Sequence, residues 1–197
     1  MNPGLTLAEL TSAGAHRRGH FRLSSGLHSG DYLQCALYLA DPHRAERAGA
    51  LIAQAVAAIG VRPTLVVSPA LGGVIIGHET ARAIGLPFIF TERQEGRMTL
   101  RRGFVIGRGD KIVVVEDVVT TGKSTREVVA VLEAEGAEVV AMASIVNRSG
   151  QKNPFAPLPY ASLLAVDFPT WQPEECPLCR QGLPIEKPGS RRVTAGE

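Results

Sequence analysis

Near its middle the chain reads Val113-Val114-Val115-Glu116-Asp117-Val118-Val119-Thr120-Thr121-Gly122-Lys123-Ser124. A β-branched run of this kind favours a buried strand. Two adjacent acids close it, and a turn of small hydroxyl residues and one glycine follows before a helical stretch begins. Successive backbone N–H groups in such a turn, together with a helix N-terminus, make a cradle for phosphate. Thr120, Thr121 and Ser124 add hydroxyl donors, Lys123 adds a positive charge, and Gly122 lets backbone come close to a ligand. Carboxylates at Glu116 and Asp117 suit the hydroxyls of a pentose, so acids beside a phosphate cradle suit a sugar phosphate. Gly122-Lys123-Ser124 also resembles the end of a P-loop. That motif needs a glycine five positions before Gly122, where Asp117 stands, so the P-loop reading fails.

Working outward, Lys111 to Val115 is the strongest strand signal in the chain. Arg44 to Ile59 carries apolar residues at helical spacing and stops at Gly60. Thr64 to Ser68 predicts a strand, Gly72 to Ile84 a helix, and Leu86 to Phe90 another strand. Ser124 to Glu135 predicts a helix stopped by Gly136, and Glu138 to Val146 a strand. Nearly continuous apolar strands alternating with helices predict an α/β fold with a central, mainly parallel sheet flanked by helices. The chain is read as a single domain over residues 1–197, with its core at about 44–150. A small cap comes from both chain ends, at about 1–40 and 150–197. Open sheets of this kind bind ligands at the carboxyl ends of their strands, and something must cover that edge.

The 197 residues are 45% hydrophobic and 20% charged, which excludes intrinsic disorder and provides one substantial core. No apolar run approaches the 18 or more residues of a membrane span, and Met1 to Leu5 has no basic region of a secretory signal. A net charge of +2 is too small to imply nucleic acid by itself. Among the 21 basic residues only Lys111, Lys123, Lys152 and Lys187 are lysine. Arginine offers a permanently charged planar fork for phosphate and carboxylate oxygens. Arg93, Arg97, Arg101, Arg102 and Arg108 form a cluster. Three cysteines make no disulfide framework, which predicts a reducing, cytoplasmic location.

The acidic strand end and its turn resemble the phosphoribosyl-pyrophosphate motif of type I phosphoribosyltransferases. Gly19-His20-Phe21-Arg22-Leu23-Ser24-Ser25-Gly26-Leu27-His28-Ser29-Gly30-Asp31-Tyr32 is similar to the Phe-x-Leu-x-Ser-Gly-x-x-Ser segment of the members that use orotate. The resemblance covers most of residues 15–150. It implies the type I phosphoribosyltransferase fold, with the cap as a hood. It implies transfer of a phosphoribosyl group from 5-phosphoribosyl 1-pyrophosphate to orotate, giving orotidine 5′-phosphate in pyrimidine synthesis. Glu116 and Asp117 then contact the ribose hydroxyls, and Val118, Val119, Thr120, Thr121, Gly122, Lys123 and Ser124 form the loop around the 5′-phosphate. Thr120 also touches the pyrimidine, Arg148 pairs with the orotate carboxylate, and Tyr32 and Leu33 line the base, where the family usually has two aromatics. Mg²⁺ is implied as cofactor, held mainly through substrate, and a homodimer with shared active sites is implied as the assembly.

Several positions depart from the family pattern. Ser24 replaces a common lysine, and Leu71-Gly72 replaces a Tyr-Lys pair. The catalytic-loop stretch from Glu92 to Thr99 lacks the usual histidine. Arg93 and Arg97, with Arg101 and Arg102, are expected to supply that loop's positive charge over the departing pyrophosphate, the first two as catalytic residues. Two other readings stay open: a purine-specific enzyme, which Arg148 argues against, and a phosphoribosyl-pyrophosphate-sensing regulator. The regulator would need a recognition helix for which the segment before Arg44 has no room. Cys176-Pro177-Leu178-Cys179 looks like one knuckle of a zinc ribbon, but it supplies two of the four ligands zinc wants. A relic knuckle or a reversible dithiol explains it as well. Pro188 to Arg192 reads as an exposed tail.

Overall fold

Apolar strands separated by amphipathic helices bury both faces of a sheet. The computed structural model, which describes residues 4–188, has that arrangement. The amino-terminal end supplies α1 (Leu7–Ser12), the strands β1 (His16–Arg22) and β2 (His28–Leu33), and α2 (Cys35–Leu39). Next come α3 (Pro42–Ile59), β3 (Leu65–Pro69), α4 (Gly72–Ile84), β4 (Phe88–Gln94) and β5 (Arg97–Leu100). β6 (Lys111–Val119), α5 (Lys123–Ala134), β7 (Glu138–Asn147) and β8 (Tyr160–Ala165) follow. The carboxy-terminal part adds β9 (Thr170–Trp171) and α6 (Pro177–Arg180).

Six strands form the central sheet in the order β5-β4-β3-β6-β7-β8, parallel throughout except for the β4–β5 hairpin. β6 lies inside it, between β3 and β7. Alternate side chains of a strand face opposite sides, and both sides are filled. Val113 and Val115 pack with Ala48, Ile52 and Ile76 of α3 and α4, whereas Ile112 and Val114 pack with Val128 and Leu132 of α5. Each such side chain stabilises by about 1.5–3 kcal/mol when fully buried, so the two layers hold β6 from both sides. α3 starts where Asp41 accepts the His43 N–H at 2.9 Å and Pro42 occupies the first turn.

Three sequence expectations are corrected. β6 does not stop at the acids: it stays paired with β7 as far as Val119 opposite Asn147, because the β-branched Val118 and Val119 continue the ladder. The turn therefore begins at Thr120. The strand expected over Leu86–Phe90 runs on to Gln94, so the arginine cluster begins inside a β-hairpin whose turn has Glu95 and Gly96 at positive φ. Finally, the core does not end near residue 150. β8 pairs in parallel with β7 over Met142–Asn147 and belongs to the central sheet, not to the cap.

The cap contains the three-stranded sheet β1-β2-β9, which brings the two ends of the described chain together. Beyond β9, Glu186 bridges to Phe21, with the Arg22 N–H donating to the Glu186 carbonyl at 2.8 Å. Of the expected tail, residues 189–192 lie outside the described residues.

Candidate active site

The end of β6 sets two acids at the carboxyl edge of the sheet. Glu116 is buried and Asp117 half-buried. The Asp117 N–H donates to the Glu116 carboxyl at 3.1 Å, and the Val118 N–H to the Asp117 carboxylate at 2.8 Å. Burial, reinforced by the hydrogen bond that the protonated carboxyl donates to Asp117 and by the charge of Asp117, pushes the Glu116 carboxyl up to about 9. At neutral pH the Glu116 carboxyl therefore holds its proton. Gly72, at the start of α4, packs directly on this pair: a Cβ there would lie 2.7 Å from both Asp117 carboxylate oxygens. The departure at Leu71-Gly72 is thereby explained, since backbone occupies the place where a side chain would displace the acid.

From the acids the chain turns through Thr120 and Thr121 to Gly122, whose φ of 71° starts α5 with no side-chain cap. A Cβ at Gly122 would meet the Phe155 ring at 2.8 Å, so glycine meets both the backbone angle and the close approach. At the N-terminus of α5, a 12-residue helix, the Lys123 N–H donates to the Thr121 hydroxyl at 3.3 Å, and Gly122 itself puts no side chain across the amides. Arg126, one turn into α5, donates to the carbonyls of Thr121 and of Pro154, the latter at 2.8 Å, and braces the turn from behind. The residues from Glu116 to Thr125, together with Gly72 and Arg93, line a polar cavity of about 280 Å³.

Beside it lies a larger cavity of about 890 Å³, and the two share Thr120 and Thr121. Tyr32 and the β1–β2 turn, with Arg22, Leu23, Ser24, Ser25 and Leu27, form its roof, and Arg148 lies at its core side. Arg148 follows β7, and its guanidinium stacks over Phe168 at 5.5 Å. One of its terminal nitrogens is buried without a hydrogen-bond partner. Burial lowers the Arg148 pKa and the charge of Asp31 raises it, but an arginine stays charged at any physiological pH. An unpartnered buried guanidinium nitrogen at a cavity wall calls for an anion.

The structure thus brings together Glu116, Asp117, the 118–124 loop, Thr120, Arg148, Tyr32 and Arg93 around adjoining cavities. Leu33 does not join them. Neighbours on a strand face opposite ways, so while Tyr32 faces the larger cavity, Leu33 packs on the hydrophobic core. Of the arginine cluster, Arg93 lines the acidic cavity, donating to the Gly96 carbonyl at 2.8 Å and pairing with Glu127. Arg101 and Arg102 pair with Glu92 at 3.4 and 2.9 Å, and Arg97 is exposed and lines neither cavity. Of the four arginines expected to supply charge over the leaving group, Arg93 is the one that lines the acidic cavity of its own chain. The hairpin register turns the others away, and Glu92 neutralises two of them.

Three residue groups escaped the sequence reading. Arg126 and Phe168 support the loop and Arg148, and the signals for them were weak: an arginine facing back from the first turn of α5, and an aromatic in a Pro-rich stretch. The third group concerns the cysteine knuckle. Cys176 and Cys179 lie against His20 and His28 of the hood sheet, whereas Cys35 is buried in the main core and takes no part. Burial, with the negative charge of Asp117 and Glu116, raises the pKa of the Cys35 thiol.

A family model described as the phosphoribosyl transferase domain matches residues 37–160. An orotate phosphoribosyltransferase of Carboxydothermus hydrogenoformans is 52% identical over 174 residues, 88% of this chain and 91% of its own length. Another, of Sphingopyxis alaskensis, is 51% identical over 190 residues, covering 96% of this chain and 97% of its own. Among solved structures, the orotate phosphoribosyltransferase of Aeropyrum pernix superimposes with a TM-score of 0.69 at 26% identity, over 82% of this chain and 94% of its own.

Proposed function

This chain belongs to the phosphoribosyl transferase family, and on that premise we propose that it transfers the 5-phosphoribosyl group of 5-phosphoribosyl 1-pyrophosphate to N1 of orotate, releasing pyrophosphate and forming orotidine 5′-phosphate. The observation that carries the choice of orotate is Arg148. Its unpartnered nitrogen borders a cavity continuous, at Thr120 and Thr121, with the acid and phosphate corner. A carboxylated pyrimidine answers that nitrogen, and a purine does not. Tyr32 presents an aromatic face to the base, and the hydroxyl of Thr120 is within the same space.

In the proposed mechanism the amides of Thr121 to Ser124 and the hydroxyls of Thr120, Thr121 and Ser124 hold the 5′-phosphate. Glu116 and Asp117 hold the ribose hydroxyls. The C1′–pyrophosphate bond breaks with its electron pair leaving on pyrophosphate, and positive charge spreads over the ring as an oxocarbenium-like transition state. The carboxyl oxygens of the acid pair face that developing charge and stabilise it. Orotate N1 attacks from the other cavity. The N1 proton of orotate leaves as the N1–C1′ bond forms and an oxygen of the departing pyrophosphate takes it, so no side-chain base is required, in keeping with the lack of a histidine in the loop. Arg93 contributes charge to the leaving group, and Arg97, exposed on the same hairpin, remains available to the neighbouring protomer of a homodimer.

The site also fits Mg²⁺. Its donors are hard oxygens, and among the described residues no third His, Cys, Asp or Glu joins the acid pair to make an all-protein cage. That donor set suits an ion held by one or two carboxylates plus substrate oxygens. When bound, it would supply charge neutralisation for pyrophosphate. Among the described residues no helix is long and apolar enough to cross a membrane, and the lack of a disulfide framework in the sequence supports a cytoplasmic location.

A steady-state comparison of acceptor bases tests the proposal. Orotate should give pyrophosphate and orotidine 5′-phosphate, with adenine, hypoxanthine and xanthine at least about 10³-fold lower in kcat/KM, because a purine leaves the buried guanidinium unpaired. A purine used as well as orotate would overturn it.

A further inference from the structure

The knuckle at the carboxy-terminal end and two histidines of the hood remain outside the chemistry above. We propose that His20, His28, Cys176 and Cys179 form a structural zinc site that clamps the two ends of the chain together over the larger cavity.

The four ligand atoms all lie within 4.8 Å of one another. Individual separations are 3.1 Å from His20 Nε2 to His28 Nδ1, 3.3 Å from Cys179 Sγ to His28 Nδ1, and 3.5 and 3.6 Å from His20 Nε2 to Cys176 Sγ and Cys179 Sγ. Zinc bonds to nitrogen at about 2.0–2.1 Å and to sulfur at about 2.3 Å, so a tetrahedral site has N–N edges of about 3.3 Å and N–S edges of about 3.6 Å. The observed distances are those of such a tetrahedron.

Hydrogen bonding alone does not account for this convergence. His20 Nδ1 lies 2.9 Å from the Leu183 carbonyl, which can only accept, so Nδ1 carries a proton and Nε2 is the ring atom left to offer a lone pair to a metal. That lone pair is approached by three atoms at once. One ring nitrogen cannot satisfy them all, whereas a central cation satisfies the four together. The carbonyl partner is also the outer support that a zinc-bound histidine ordinarily has. Two thiolates and two imidazoles select zinc over magnesium or calcium, and four protein ligands leave no open position, which makes the role structural.

The ligands come from far apart in sequence. His20 ends the stretch before Phe21 and Arg22 on β1, and His28 opens β2, so they flank the Leu23–Leu27 turn that roofs the larger cavity. Cys176 and Cys179 belong to the α6 knuckle. The site fixes the base of that turn to the segment carrying Glu186, which bridges to β1. Its cross-link would act on the closure entropy of nearly the whole chain.

The test uses the full-length reduced protein, purified without chelator and, separately, stripped and reloaded with Zn²⁺ or Co²⁺. Metal analysis should find about one zinc per chain. The cobalt form should show the intense visible bands of a tetrahedral ion together with thiolate-to-cobalt charge transfer, and removal of zinc should lower Tm by roughly 10 °C. Cys179→Ser and His28→Ala should lose the metal, and Cys35→Ser should keep it. Zinc near zero even after reloading would overturn the proposal. So would zinc retained at full stoichiometry when Cys176 and Cys179 are both replaced by serine. Neither reading depends on which base the enzyme uses.

Discussion

The corner at the end of β6 and the hood above it are built in opposite ways. The corner is one unbroken run, Glu116 to Ser124, held from both faces of the central sheet by buried valines and leucines. Its polar groups are concentrated and partly strained in their ionisation: Glu116 carries a proton at a pH where a free glutamate would not. The hood is assembled from residues 16–33 and 169–187, joined by short strand pairings and a few hydrogen bonds. It contributes roof residues, Arg22 and Lys187 among them, and an aromatic face. The contrast assigns the chemistry to a preorganised, deeply supported edge, and base selection to the space between that edge and a separately tethered lid of residues.

If that division is right, damage to the corner should appear in kcat and damage at its border in the KM for orotate. The largest effect is expected for Asp117→Asn, which takes one carboxylate from the acid pair: kcat should fall about 10²- to 10³-fold with little change in Tm. Next, Arg148→Ala should raise the orotate KM about 10- to 100-fold, the worth of a hydrogen bond to a charged group, and leave the KM for phosphoribosyl pyrophosphate within twofold. An equal rise in both constants would erase the proposed border between the cavities. Arg93→Ala should lower kcat about 10-fold, whereas Arg101→Ala, whose partner Glu92 lines neither cavity, should leave the rate unchanged.

The smallest effect sharpens the account of Glu116. Its carboxyl titrates near 9 in the folded chain against an ordinary 4.5, so the unfolded chain binds fewer protons throughout that interval. Stability contributed by this group therefore declines as pH rises from about 4.5 to 9 and is level above. Glu116→Gln should remove the decline, making the ligand-free protein more stable than the parent at pH 8 and unchanged at pH 4, while activity drops. Thermal melts across pH 4 to 9 would reveal it.

The two regions also differ in how far they could be read from sequence. The corner's order of strand, acids, hydroxyl turn and helix is contiguous, and each residue type has a local reason to be there. Even so, the strand's end was misplaced, because β-branched Val118 and Val119 serve ladder and loop alike. Leu33 was misassigned because matching a pair of positions ignores the alternation that turns its side chain to the core. The hood resisted reading for a different reason. Nothing in Cys176-Pro177-Leu178-Cys179 says that its neighbours are His20 and His28, some 150 positions earlier in the chain; tertiary links such as the pairing of β2 with β9 and the Phe21–Glu186 bridge bring them together. The arginine hairpin lay between these cases: its charge was visible, but Glu92 as the partner of Arg101 and Arg102 was a matter of strand register.

A crystal structure with orotidine 5′-phosphate bound tests the central claim most directly. The phosphate should sit on the amides of Thr121 to Ser124, the ribose hydroxyls against Glu116 and Asp117, and the pyrimidine carboxylate on the Arg148 guanidinium. A nucleotide bound with its phosphate at Arg148, or away from the end of β6 altogether, would contradict the account.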